Sequence, residues 1–223
     1  MCVILVSPDP SARPTRSILE ACHEANPHGA GLAWREGRRV RWMKNLDVDD
    51  AHALLAELTG EVVIHFRWAS VGGVDADLCH PFPVTATAKT DLFGKADAVL
   101  FHNGTWSQYD KALALLRSEH GKRIPRGAMS DTRAAALCVH QLGVGILPKL
   151  PGKWVWMGAK KTRLYGSWSD FEGMKASNLF FLHRLASGGY RQSSFSGWGD
   201  DEPENGDPNG ATPRPTATST PEL

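Results

Sequence analysis

Cys2 directly follows the initiating methionine. Cysteine is small enough at position 2 for methionine removal to be expected, which leaves a free α-amine and a thiol on one residue. An α-amine titrates near about 7.7–8.0, so a useful fraction is neutral at physiological pH. It can take the thiol proton and generate the attacking thiolate within that residue. Cys2 also fits a plainer role, as a small apolar residue opening the buried strand CVILV at 2–6. Four further segments are polar where an ordinary core strand or loop has no need to be. They are Asn26-Pro27-His28-Gly29-Ala30-Gly31, His65-Phe66-Arg67-Trp68-Ala69-Ser70, His102-Asn103-Gly104-Thr105 and Ser130-Asp131-Thr132.

Taken with Met-Cys, these segments stand in the order found in class II glutamine amidotransferases, the N-terminal-nucleophile glutaminases, and the chain resembles that family over about residues 2–183. The family forms are similar to Cys-Gly-Ile, Asn-x-x-Gly-x-Gly, His-x-Arg-Trp-Ala-Thr, His-Asn-Gly and Ser-Asp-Thr. His80-Pro81-Phe82 and the late Ser177-Asn178 also look like family features. Each motif alone is weak, and their shared order carries the resemblance. The fold it implies is α+β: a four-layer αββα sandwich of two mostly antiparallel sheets.

The resemblance implies a role for each matching residue, and each role has a chemical reason. Cys2 is the nucleophile toward the side-chain amide carbon of L-glutamine. The tetrahedral oxyanion so formed needs donors fixed in advance; Asn103 (side-chain amide) and Gly104 (backbone N–H) match that pair. Glycine at 104 also lets the backbone approach the substrate without a Cβ. The substrate carboxylate calls for a planar fork, which Arg67 offers and lysine does not. The substrate ammonium calls for an acceptor, matched by Asp131. Ser70 adds a hydroxyl near the carboxylate, and Trp68 helps wall the pocket. Water then releases glutamate from the thioester, and ammonia passes to an acceptor. Outside the family context, Asp131 reads as a cap of the helix at 131–142 and Arg67 as a partner of a surface acid.

The chain departs from the family pattern in three places. Val3 replaces glycine beside the nucleophile, which raises a question of room. Ser70 replaces the commoner threonine and keeps the hydroxyl. Gly72-Gly73 matches a closing loop in position only, and the loop 69–79 is Gly-rich and expected to move. No cofactor and no metal is expected: His65, Cys79, His80 and His102 fit no zinc spacing, and His65 and His102 read as strand ends with local hydrogen bonds. No papain-like signature surrounds Cys79 or Cys138. The rival readings are another N-terminal-nucleophile amidase and an amidotransferase-like binding module that has lost turnover.

Residues 1–223 bound the elements that position these groups. Hydrophobic residues make up 42%, charged residues 22%, and the net charge is +1. That fits a globular protein able to bury one core without staples. No apolar run approaches the roughly 18–20 residues of a membrane span, and no basic n-region marks a secretory signal. Four cysteines without framework spacing (Cys2, Cys22, Cys79, Cys138) read as free thiols in a reducing, cytoplasmic setting. Residues 197–223 hold six acids against one arginine, with five prolines, so a tail over 191–223 is expected to be disordered. The remaining charge of +6 on residues 1–196 is mild and gives no argument for nucleic acid. The amidotransferase-like domain is set at 2–190. Since its pattern ends near 183, the chain is expected to be a glutaminase subunit serving a separate ammonia-accepting synthase.

Hydrophobic patterning predicts strands at 2–6, 30–34, 39–43, 61–66, 97–102, 153–158, 162–165 and 178–183. Helices are predicted from Thr15 to the Asn26-Pro27 stop, after Asp47, and at 107–118 and 131–142. Strands at both ends and in the middle, with paired helices between, suggest mixed sheets covered by helices rather than a βαβ repeat. Trp154, Trp156 and Trp168 read as core or as part of a partner surface.

Overall fold

The computed structural model describes residues 2–70, 73–121 and 123–188. Gly72 of the expected closing loop and the expected tail at 191–223 lie outside them. In chain order the elements are β1 (Val3–Ser7), α1 (Arg16–Ala25), β2 (Ala30–Glu36), β3 (Arg39–Leu46), α2 (Val48–Glu57) and β4 (Val62–Phe66). They continue with β5 (Phe82–Pro83), β6 (Phe93–Ala96), β7 (Ala98–Asn103), α3 (Tyr109–His120), α4 (Asp131–Leu142) and β8 (Lys153–Gly158). The last are β9 (Thr162–Tyr165), β10 (Ser169–Phe171), β11 (Met174–Ala176) and α5 (Leu182–Gly188). Short 3₁₀ turns connect several of them.

Side chains that satisfy backbone N–H groups set the helix starts. Thr15 accepts from Ile18 N–H at the head of α1, Asp47 from Asp50 N–H at α2, and Ser130 from Arg133 N–H at α4. Thus Ser130, not Asp131, caps α4.

One sheet has seven strands in the order β10-β11-β1-β4-β2-β3-β6, and the other has four, β5-β7-β8-β9. Every recorded pairing is antiparallel, so the sheets are not mixed. Alternation along the strands sorts the apolar residues into three layers of core. Ile4, Val6, Val63, Val99, Phe101 and Val155 meet between the sheets. Val3, Leu5, Val62, Ile64 and Phe66 face α1, α2 and α5. Leu100 and Trp154 face α3 and α4. Together these make the expected αββα sandwich. Burying a side chain the size of Phe101 stabilises by roughly 1.5–3 kcal/mol, so the central layer holds the sheets face to face.

One predicted strand is corrected. Residues 178–183 are not extended: Phe180 N–H donates to Asn178 Oδ1 and the chain turns into α5, while the strand itself is β11, just upstream. Trp154 is core; Trp156 and Trp168 are half-buried against the neighbouring layers.

Candidate active site

The second residue of the chain sits at the head of β1, a central strand, with its thiol facing the end of β4. Trp68 N–H donates to Cys2 Sγ at 3.3 Å, and the thiol faces the Trp68 carbonyl at 3.5 Å. Burial pushes the thiol pKa above its ordinary value, while the Trp68 N–H and the nearby Arg67 guanidinium pull it back. Val3 does not crowd this group. It packs with Leu5 on the helix side, whereas Ile4 packs between the sheets, and alternation puts Cys2 on the side of Ile4.

Arg67 continues the inward face of β4 after Val63 and His65. It is buried, and its guanidinium donates to the carbonyls of Gly73 at 2.7 Å and Asp75 at 3.3 Å. Both of these contacts are to backbone carbonyls. His28 holds the next turn: Ala69 N–H donates to His28 Nδ1 at 3.0 Å, and the His28 and Trp68 rings lie 5.2 Å apart. Gly29 and Gly31 let the Cys79-His80-Pro81 segment press onto β2. A Cβ on Gly31 would lie 1.8 Å from the His80 carbonyl oxygen, and one on Gly29 would lie 2.7 Å from Cys79 Sγ. His80 in turn shares a 2.7 Å hydrogen bond with His65, ring nitrogen to ring nitrogen.

The opposite wall comes from β7 and α4. Asp131 accepts from Trp106 N–H and from Thr132 N–H, both at 2.8 Å, with His102 Nδ1 at 3.5 Å. Burial alone would raise its pKa, but His102 and these two N–H groups outweigh that and hold it below the ordinary carboxylate value. His102 stacks flat on Trp154 at 3.7 Å. Gly104 has a φ of +150°, and a Cβ there would lie 2.9 Å from both Gly152 Cα and His102 Nε2. Its glycine character is thus demanded by packing at the end of β7–β8. Ser70 Oγ lies 3.5 Å from Thr105 Oγ1, linking the two loops.

Cys2, Arg67, Trp68, Ser70, Gly104 and Asp131 line one cavity, joined by Leu78, His80, His102, Ser130 and Thr132. Asn103 is not among the lining residues. It lies buried, with its carboxamide nitrogen 2.8 Å from Ser177 Oγ. Ser177 and Asn178 also fix β1: Ile4 N–H donates to Ser177 Oγ, and Asn178 Nδ2 donates to the Cys2 carbonyl. Sequence reasoning placed His102 only as a strand end and gave His80 no part in the pocket. The Asp131–His102 contact bridges 29 positions of sequence, and the motifs themselves were the one signal for it.

The cavity measures about 20 Å³, room for about one water. Trp68, at 47% exposed, is the least buried large side chain of its wall. A roomier concavity of about 710 Å³ between α3 and α4, lined by Leu116, Ile124, Leu137 and His140 among others, contains none of these site residues.

The fold has solved counterparts. Glutamine phosphoribosylpyrophosphate amidotransferase from B. subtilis, complexed with ADP and GMP, superposes with a TM-score of 0.57 over 83% of this chain and 44% of that one, at 16% identity. A structure of the allosteric regulatory enzyme of purine biosynthesis superposes with a TM-score of 0.56 over 83% and 43%, also at 16% identity. The chain therefore spans less than half the length of these structures. At such identity the likeness establishes the fold alone, an αββα sandwich. No protein-family model and no curated protein matches the sequence.

Proposed function

We propose that the chain is a class II glutamine amidotransferase domain whose Cys2 hydrolyses the side-chain amide of L-glutamine. The observation that carries this reading is the convergence of the Cys2 thiol, the Arg67 guanidinium and the Asp131 carboxylate on one cavity. A cation and an anion lining the same cavity as a nucleophile complement the two charges of an amino acid. In this proposal methionine removal frees the Cys2 amine, which takes the thiol proton. The thiolate adds to the amide carbon, and the oxyanion is met by the Gly104 N–H and the Asn103 amide. Collapse expels ammonia, which carries off the proton held by the amine, and leaves a glutamyl thioester. Water then attacks that thioester, glutamate departs and the thiol is restored. The ammonia then goes to an acceptor, for which the proposed partner is a separate synthase.

A binding module without turnover is the second reading, and the small volume of the cavity is the observation that favours it. Intact-mass spectrometry with a glutamine-analogue diazo-ketone separates the two. Loss of the methionine mass plus one adduct, absent in Cys2→Ala, supports the glutaminase. A retained methionine, or a processed chain that takes no adduct, supports the binding module.

A further inference from the structure

The hydroxyl of Ser177 is placed to decide which way the Asn103 carboxamide faces. Ser177 is fully buried just after β11, and its backbone N–H donates to the Ile4 carbonyl at 2.9 Å. Ile4 N–H returns a 2.9 Å bond to Ser177 Oγ, so that oxygen already accepts once and its own proton needs an acceptor. The other partner recorded for it among the described residues is the Asn103 carboxamide, with a nitrogen-to-oxygen distance of 2.8 Å. With Nδ2 at this contact the hydroxyl accepts twice, its proton goes unmatched, and Asn103 Oδ1 is buried without a partner.

A carboxamide has nearly the same shape at both ends, and hydrogen-bond balance chooses between them. Turned by half a revolution, Oδ1 accepts the Ser177 proton and the contact is fully matched. The NH₂ group then takes the buried place where, among the described residues, Oδ1 meets no donor. A donor idle in the ground state, and paired only when a negative oxygen forms, gives the differential stabilisation that lowers a barrier.

On the glutaminase reading above, we infer that Ser177 is a positioning residue, its hydroxyl proton holding Asn103 Oδ1 so that the NH₂ is free for the oxyanion formed at Cys2. The segment around it is anchored from both sheets. Lys153 Nζ, from β8, donates to the Ser177 carbonyl, and Asn178 Nδ2 donates to the Cys2 carbonyl. The carboxamide of Asn103 and the backbone of the nucleophile are thereby referred to one dipeptide.

Two measurements test this. The first is steady-state glutamine hydrolysis by Ser177→Ala and Ser177→Thr. The expected result is a kcat about ten- to a hundredfold lower in Ser177→Ala, with KM within about threefold, and near-normal kcat in Ser177→Thr, which keeps the hydroxyl. An unchanged kcat in folded Ser177→Ala overturns the inference. The second is neutron crystallography of the deuterium-exchanged wild-type protein, which needs neither turnover nor a folded Ser177→Ala variant. A deuteron on Ser177 Oγ aimed at Asn103 supports the assignment, and Asn103 deuterons aimed at Ser177 Oγ overturn it. If the wild type forms no glutamate while the deuteron map is as expected, the glutaminase reading fails and the orientation stands.

Discussion

The side chain of Asn178 donates a 2.7 Å hydrogen bond to the carbonyl of Cys2, tying the segment after β11 to the head of β1. In the proposed mechanism the bond restrains the backbone of the residue whose thiol and amine face the substrate. A single neutral hydrogen bond contributes about 1 kcal/mol of stability, but misplacement of a nucleophile weighs more heavily on rate. Asn178→Ala is therefore expected to slow diazo-ketone labelling of Cys2 about tenfold while lowering Tm by only a few degrees. Labelling followed by mass spectrometry, alongside a thermal melt, checks both. A large loss of Tm with an unaltered labelling rate would mean that the bond serves the fold alone.

Arg67 and Asp131 are expected to govern binding. Arg67→Lys keeps the charge and loses the fork, both for the Gly73 and Asp75 carbonyls and for a substrate carboxylate. Asp131→Asn keeps the shape and removes the charge proposed to meet a substrate ammonium. Each should raise the KM for glutamine by about tenfold or more, with kcat less affected. Equal KM values for wild type and Asp131→Asn would remove Asp131 from the substrate site.

Much of this arrangement was legible in the sequence, where local chemistry and global fold agree. The caps at Thr15 and Asp47 and the bounds of α4 and β9 follow from residue types within a few positions. β5, β6 and β10 escaped because they are two to four residues long and owe their extension to a neighbouring strand. The 178–183 run looked like a strand because Leu179, Phe180 and Phe181 are consecutive apolar residues. In fact Phe181 is buried against the helix layer while Phe180 is 58% exposed, as a turn allows. At the site, motif order pointed to the residues that share the cavity. The contact that holds Asn103 was not legible, because its partner Ser177 lies 74 positions away.

The glycines of the second motif offer a test of packing. A Cβ at Gly31 would overlap a backbone carbonyl, that of His80, at 1.8 Å, and backbone cannot swing aside as a flexible side chain can. At Gly60 the same Cβ would meet nothing within 4 Å. Gly31→Ala is expected to cost more than about 3 kcal/mol, a drop in Tm of about 10 °C, and Gly60→Ala less than about 0.5 kcal/mol. Thermal melts of the two variants side by side decide it, and similar Tm values would show that the His80 segment yields.

Acid should weaken the fold well before the carboxylates titrate, because of the buried His65–His80 pair. Burial, reinforced by neighbouring positive charge, lowers the pKa of His65 from 6.5 to about 3 and holds His80 well below its ordinary value. In the unfolded chain both rings take a proton as pH falls through about 6.5; in the folded protein they stay neutral. The unfolded state thus binds more protons between about pH 6.5 and 3, and stability falls as pH falls through that window. For His65 alone the loss from pH 6.5 to 5 is about 2 kcal/mol, from about 1.4 kcal/mol per pH unit. Urea unfolding at pH 7, 6, 5 and 4 measures the slope, and His65→Asn should flatten it by about one proton's worth. A wild-type slope of zero over this range would mean that the pair accepts a proton in the folded state, and the shared ring-to-ring hydrogen bond would then link a charged ring to a neutral one.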